Sequence, residues 1–158
     1  MNQFIQTLRR YYKMLVIGAN LLRSPLLLVI RVYFFWQLFV IGTGKLSNIE
    51  KIVAYFSSLG IPLPLVSAYL AGCAETFGSL LIMLGLASRL ASIPVAFTMI
   101  IVYLTAELEA AKNLFSEPDK FVKADPFPFL FCALIILAFG PGKLSIDALL
   151  RRRFDRPE

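Results

Sequence analysis

Residues 64–86 read PLVSAYLAGCAETFGSLLIMLGL, an apolar run interrupted by one carboxylate, Glu75. A helix needs about 20 apolar residues to cross the hydrocarbon core of a bilayer, and this run is long enough. Small residues at Ala68, Gly72 and Ser79 fall on the same helical face as Glu75. Because small side chains let a neighbouring helix approach closely, this face is predicted to point into a helical bundle and away from lipid.

The sequence contains three further apolar runs, and its overall composition is typical of a membrane protein. The chain has 158 residues, 58% hydrophobic and 16% charged, with a mean hydropathy of +0.74. Backbone polar groups in lipid must be satisfied within the segment, so the runs are predicted to be helices. The predicted fold class is all-α, an integral membrane four-helix bundle that forms a single domain over residues 1–158. Its spans are expected at about residues 25–44, 64–86, 90–108 and 126–142.

Amphipathic segments flank the spans and are predicted to be short interfacial helices at about residues 3–22, 48–59 and 145–154. The middle segment opens with Ser47-Asn-Ile-Glu50, the sequence of a capping box. Ser145 is placed to cap the last one. In the first and last segments apolar residues oppose arginines, a pattern typical of helices that lie in a membrane interface. Ser24-Pro25 is predicted to be a turn between the first segment and the first span.

Basic residues are distributed unevenly between the two sides of the predicted bundle. The N-terminal segment, the turn at residues 88–89 and the tail from Lys143 hold ten Lys and Arg, whereas the other two loops hold five. This bias predicts that both termini are cytoplasmic. The first span carries Arg31 and no small-residue cleavage site follows it, so we expect it to stay as an anchor. The net charge of +6 indicates contact with lipid headgroups and no nucleic-acid partner, because the cations flank apolar runs.

Arg31 is the second charge inside an apolar run, and we hypothesise that it pairs with Glu75. A charge near the bilayer centre costs at least about 2.5–3.5 kcal/mol, so such residues are rare and usually paired or functional. The rise per residue of a helix places Arg31 roughly 9 Å inside one edge of the membrane and Glu75 roughly 16 Å inside the opposite edge. Because the hydrocarbon core is about 30 Å thick, the two side chains are then close enough to touch. Three interpretations stay open. The pair fixes packing, it handles a ligand or proton, or Arg31 snorkels while Glu75 is protonated.

Lys45 ends the first span on the same face as Arg31, and Glu107 and Glu109 end the third span at about the same depth. An exposed salt bridge at the rim is one interpretation of these groups. In the other interpretation, these groups form the polar entrance to a ligand pocket, and Arg31 and Glu75 lie at its bottom. We predict that Arg31 and Glu75 are the catalytic residues.

Aromatic residues cluster beside Arg31, among them Phe35 and Trp36. An interfacial aromatic belt accounts for many such residues without a ligand. Aromatic walls also suit a flat quinone, with Arg31 donating a hydrogen bond to a carbonyl and Glu75 handling a proton.

Histidine is missing from the sequence, which removes the commonest general base and the usual haem and zinc ligand. No metal site and no covalent cofactor are predicted. Cys73 and Cys132 form no C-x-x-C motif and are interpreted as small buried hydrophobic residues, with a disulfide as the alternative if two helices bring them face to face.

A set of short motifs recurs in an order that resembles the DoxX-like membrane family. The motifs are Arg31-x10-Gly42-x-x-Lys45, Gly60-Ile-Pro62-x-Pro64, Gly72-x-x-Glu75-x-x-Gly78, Gly85-Leu-x-Ser-Arg89, Pro126-Phe-x-Phe-Leu130 and Gly140-Pro-Gly-Lys-Leu-Ser145-Ile-Asp147. The resemblance implies a compact four-helix membrane bundle. The family takes its name from a small subunit of an archaeal terminal quinol oxidase, and related proteins are the membrane subunit of thiosulfate:quinone oxidoreductase. By position, Arg31, Lys45 and Glu75 match the family's recurring charged residues.

From this resemblance we expect a protein of the prokaryotic inner membrane that acts as a quinone-linked or redox-associated subunit. Its expected partners are the lipid bilayer, a quinone and a soluble redox protein. Two alternatives stay open: a small transporter or proton-pathway subunit, and a structural membrane anchor for a soluble partner. The lack of histidine rules out a haem-copper style centre in this chain.

Overall fold

The computed structural model describes residues 2–154, which form helices and no strand. The helices are α1 (Asn2–Ser47), α2 (Ile49–Ser58), α3 (Pro64–Leu84), α4 (Ser88–Thr105), α5 (Leu108–Lys112), α6 (Pro118–Lys123), α7 (Pro126–Phe139) and α8 (Ile146–Phe154). Helices α1, α3, α4 and α7 pack as a four-membered bundle in which α1 and α4 each contact both α3 and α7. By length and composition α1, α3 and α4 can cross a membrane, and α7 is a shorter apolar helix of 14 residues. The predicted all-α membrane bundle is confirmed.

Helix α1 corrects the predicted start of the first span. The interfacial helix expected at residues 3–22 and the span expected at 25–44 are one continuous helix, and Pro25 lies inside it. Proline removes one backbone donor, which a long helix tolerates when the remaining hydrogen bonds persist on both sides. The predicted turn at Ser24-Pro25 is therefore wrong. Side chains of residues 5–23 are exposed and the first buried one is Leu27, so the N-terminal part of α1 extends beyond the bundle.

Helices α2 and α8 form near their predicted positions, but only α8 begins with the predicted capping residue. Helix α2 does not use the predicted capping box, because Ser47 still belongs to α1 and donates its hydroxyl to the carbonyl of Thr43 at 2.9 Å. Its N-cap residue is Asn48, which makes no side-chain cap. In contrast, Ser145 does cap α8, since its hydroxyl oxygen accepts the backbone N–H of Ala148 at 3.2 Å.

The connection between α4 and α7 is more ordered than expected. Helix α4 ends at Thr105, three residues before the predicted limit, and the short helices α5 and α6 lie between α4 and α7. Tyr103 of α4 donates its hydroxyl to the carbonyl of Phe121 at 2.8 Å, and the two rings stack with centroids 4.3 Å apart. This contact ties the connection to the end of the bundle.

Helices α1 and α3 approach each other closely at glycine residues. A Cβ atom added to Gly42 would lie 2.6 Å from Oγ1 of Thr76 and 2.9 Å from Cβ of Glu75. One turn further along, a Cβ on Gly72 would lie 2.6 Å from a methyl carbon of Leu46. The two helices thus meet through glycine on each side, as the small-residue face of α3 predicts.

The glycine contact can be tested with two alanine substitutions on α1. We expect Gly42→Ala to lower the free energy of unfolding by about 1–3 kcal/mol, because the new methyl group would overlap Thr76 of α3. Gly44→Ala is the matched control, since a Cβ there meets nothing within 4 Å and alanine favours the helix. Denaturant titration in detergent measures both. Equal stability of the two variants would contradict the assigned contact.

Candidate functional site

The buried charges lie at two separate places on α1. The first is the Lys45–Glu75 pair, in which the ammonium nitrogen lies 2.6 Å from Oε1 of the carboxylate. The Glu75 side chain is 0% exposed and that of Lys45 is 21% exposed, so the lysine covers the carboxylate at the end of the bundle. The glycine contact between α1 and α3 brings the two residues together, because Gly42 lies against both Glu75 and Thr76.

Polar atoms without a hydrogen-bond partner lie beside the Lys45–Glu75 pair. Within residues 2–154, no protein atom bonds Oε2 of Glu75, Oγ1 of Thr76 or Oγ of Ser79, and all three atoms are buried. A buried carboxylate oxygen without a partner is costly, by about 1–3 kcal/mol or more for a charged group. These atoms on one face of α3 are therefore suited to hydrogen bonding with a small polar group that enters the bundle.

The second place is the Arg31 junction, where α1 meets the α3–α4 turn and the segment before α8. Arg31 is 1% exposed and donates from Nη2 to the carbonyl of Leu144 at 2.6 Å. Its Nη1 lies against Gly85, a residue with a φ of +73° where a Cβ would also overlap Ser145. Within the described chain, Nε and Nη1 of Arg31 have no hydrogen-bond acceptor.

Asp147 is the acidic residue of this junction. Its carboxylate accepts the backbone N–H of Ala87 at 2.8 Å and that of Ser88 at 3.3 Å, which caps α4 from a distant part of the chain. Its own N–H donates to the carbonyl of Gly85 at 2.9 Å. The negative charge lies at the N-terminus of α4 and attracts Arg31 electrostatically.

The predicted Arg31–Glu75 ion pair is not formed. Helices α1 and α3 run antiparallel, with Gly42 against Thr76 and Arg31 against Gly85, so about 11 residues, or roughly 16 Å, separate the two charges along the axis. Helix rise gives the depth of each charge within its own span, but the height at which two spans meet depends on their packing. The structure pairs Glu75 with Lys45 and Arg31 with a backbone carbonyl.

The two aromatic candidates are separated from the carboxylate. Phe35 is 0% exposed and belongs to the same core cluster as Leu38 and Ile82, which fills the space between the Arg31 junction and the Lys45–Glu75 pair. Trp36 is 57% exposed on the outer face of α1 and stacks on Phe39 with centroids 5.9 Å apart. The structure therefore assigns Phe35 to the core and Trp36 to the outer surface, and neither lines a pocket around Glu75.

The two glutamates at the end of α4 do not pair with Lys45, because the lysine faces inward to Glu75. Glu107 is the N-cap residue of α5 and is half-buried, and Glu109 is exposed in the first turn of that helix. Cys73 is half-buried and Cys132 is buried, and both are free thiols. The predicted face of Ala68, Gly72, Glu75 and Ser79 is confirmed, since all four residues are buried.

Three helices that are long and apolar enough to cross a membrane, together with the shorter apolar helix α7, define a multi-pass membrane protein. Residues 26–108, just over half of the chain, match the family model described as DoxX. The chain belongs to the DoxX family.

A protein of Bacillus subtilis (strain 168) named "Putative oxidoreductase CatD" is 35% identical over 72 residues, which cover 46% of this chain and 52% of that protein. The chain thus spans about half the length of the curated relative it matches. No solved structure matches the chain at a significant level.

A double-mutant cycle distinguishes the observed ion pair from the predicted one. We expect Lys45→Met and Glu75→Gln to be coupled by about 0.5–3 kcal/mol in unfolding free energy, because their side chains touch. Arg31→Met and Glu75→Gln should be additive within about 0.5 kcal/mol, as usual for separated residues. Both cycles are measured by denaturant titration in detergent. Stronger coupling of Glu75 to Arg31 than to Lys45 would refute the register described above.

The cap that Asp147 places on α4 gives another prediction. Asp147→Ala should lower the free energy of unfolding by about 0.5–2 kcal/mol, the usual range for loss of a capping side chain. Asp119→Ala serves as the control because Asp119 is exposed on α6 and caps no other helix. Thermal unfolding monitored by circular dichroism measures both variants, and an unchanged melting temperature for Asp147→Ala would argue against the cap.

Proposed function

We propose that this DoxX-family protein is the membrane subunit of a quinone-linked oxidoreductase and that the Lys45–Glu75 pair is its polar site. The proposal places it in the prokaryotic inner membrane with both termini in the cytoplasm, which the excess of Lys and Arg in the terminal segments and the turn at residues 88–89 supports. The printed name of the Bacillus subtilis relative, an oxidoreductase, supports the redox assignment.

The observation that carries the proposal is the carboxylate of Glu75, in which only one of the two oxygens has a hydrogen-bond partner. One oxygen is held by Lys45 and the other has no partner in the described chain, although the residue is completely buried. A quinol hydroxyl is a donor that fits this oxygen. Lys45 is a donor that fits a quinone carbonyl, since an ammonium group has three N–H bonds and Glu75 uses only one of them.

The residues of the site are suited to moving a proton. When bound, a quinone supplies reversible two-electron and two-proton chemistry, and a soluble redox protein would exchange the electrons. Glu75 Oε2 accepts the proton as a general base, and the adjacent ammonium of Lys45 stabilises the carboxylate form in a low-dielectric interior. Lys45 is partly exposed, so the proton can leave toward the end of the bundle from which α2 begins.

The core between the two charged places favours this proposal over a transport function. A proton pathway or transporter would require titratable or charged groups along the bundle axis. Beyond Glu75, Phe35, Leu38 and Ile82 are at most 1% exposed, and the buried polar side chains Ser79, Ser88 and Ser92 are uncharged hydroxyls. The three apolar residues would close the quinone site from below and keep the exchanged proton on one side of the membrane.

A structural anchor for a soluble partner is the second candidate, and the N-terminal part of α1 favours it. Residues 5–22 are exposed beyond the bundle and carry Arg9, Arg10 and Lys13. Such a segment can hold a partner protein without any chemistry at Glu75. In the redox proposal the same segment is where the soluble redox protein would dock.

Substitution of Glu75 tests the redox proposal directly. We expect Glu75→Gln to lower quinol-linked turnover in native membranes by about 100-fold or more, the usual effect of losing a general base. Thr76→Val should lower the quinone retained after mild extraction while leaving stability unchanged, because the lost hydroxyl bonds no protein atom in the described chain. Ser88→Ala is the matched control, since it removes another unbonded buried hydroxyl at the Arg31 junction.

Melting temperatures verify that each variant is folded, and quinone is quantified by solvent extraction of the purified protein. Wild-type membranes that yield neither a quinone nor an associated redox protein would contradict the proposal. If removal of residues 2–22 releases a soluble partner while Glu75→Gln has no effect on turnover, the anchor function is favoured instead.

A further inference from the structure

An open groove of about 890 Å³ lies at the end of the bundle that holds the Arg31 junction. We call it the basic groove. Its lining comes from α1 near Ser24, the start of α4, the segment between α7 and α8, and α8 itself. The charged residues of the lining are Arg23, Arg89, Lys143, Asp147 and Arg151. The groove is distant from the Lys45–Glu75 pair and takes no part in the chemistry proposed there.

Two arginines are fixed at the groove by the end of α7. Arg23 donates from Nη2 to the carbonyl of Phe139 at 3.1 Å, and Arg89 donates from Nη2 to the carbonyl of Ala138 at 3.1 Å. Gly140 leaves room for Arg89, because a Cβ there would lie 3.2 Å from its Nε. Each guanidinium has five N–H donors, so these single bonds orient the group and leave further donors for a ligand.

The charge of the groove is strongly positive. Two backbone N–H groups at the start of α4 donate hydrogen bonds to the carboxylate of Asp147. The lining of the groove therefore has four cationic side chains and one acidic side chain, and the acidic one is already hydrogen-bonded. The side chains of Lys143 and Arg151 form no hydrogen bond or ion pair within residues 2–154. A group of fixed and free cations of this kind favours a phosphate, which arginine binds through two parallel hydrogen bonds.

The rim of the groove is apolar and lies where membrane-crossing helices end. Leu90, two residues into α4, is 70% exposed, and Phe139, the last residue of α7, is 57% exposed. Both line the groove together with the cations. A ligand with an anionic head and an apolar tail matches this combination, and phospholipid phosphates lie at this depth in a bilayer. We propose that the basic groove binds the headgroup of an anionic phospholipid, with its acyl chains along Leu90 and Phe139.

Lipid binding to purified, delipidated protein tests this site. Phosphatidylglycerol, phosphatidylcholine and inorganic phosphate are each added at equal concentration, and bound lipid is counted by native mass spectrometry. The double variant Lys143→Gln/Arg151→Gln should bind phosphatidylglycerol about 25-fold more weakly, because each cation near an anionic headgroup contributes about a factor of five. The control Lys51→Gln/Lys112→Gln removes the same charge at the opposite end and should change the affinity less than threefold.

Each outcome of this experiment decides the proposal. The proposal is supported if the wild-type protein retains phosphatidylglycerol selectively and only the groove variant loses this lipid. Equal binding of phosphatidylcholine, or equal losses in the groove and control variants, would overturn it. Full displacement of the lipid by inorganic phosphate would show that the groove takes free phosphate and not a lipid. The melting temperature without lipid shows whether each protein is folded, and the single variants Lys143→Gln and Arg151→Gln replace the pair if the double variant is not.

Discussion

Contact between α1 and α3 at Gly42 determines where Lys45, Glu75 and Arg31 lie relative to one another. Because Gly42 has no side chain, the backbone of α1 rests directly on Glu75 and Thr76 of α3. This contact sets the register of two antiparallel helices. Lys45, one turn beyond the glycine, then reaches Glu75, and Arg31, three turns before it, reaches the α3–α4 turn. A larger residue at position 42 would move α1 outward and separate Lys45 from the carboxylate.

Both charged places leave buried polar atoms unbonded, namely Nε and Nη1 of Arg31 and Oε2 of Glu75, but they differ in the exposure of the partner and in the chain segments they join. Arg31 bonds the carbonyl of Leu144 and lies next to the capping carboxylate of Asp147, so it joins three chain segments at one end. Glu75 has a single partner, and that partner is partly exposed. An arginine at the meeting point of several chain segments is suited to holding the fold, whereas a buried carboxylate with an unbonded oxygen and a partly exposed lysine partner is suited to exchange with a ligand.

Periodicity along the sequence predicts which face of a helix is buried, but it does not predict which helices meet at which height. The inward face of α3 and the shared face of Arg31 and Lys45 follow from spacing alone. The partner of Glu75 does not, because the register depends on a backbone contact at Gly42 that has no counterpart in charge patterning. The role of Asp147 has no local signal either, since it caps a helix that begins 59 residues earlier in the chain. Ser47 fails as a cap for a similar reason, because α1 continues through it.

Both functional proposals place ligands against the same helix. Arg23 of the basic groove and Lys45 of the ion pair lie 22 residues apart on α1, about 33 Å along its axis. Between them, Phe35 and Leu38 of α1 are packed in the core at 0% and 1% exposure. Direct electrostatic coupling is weak at that distance, because the Coulomb energy falls with separation. A bound lipid that shifts α1 would act on Glu75 through the tight contact at Gly42.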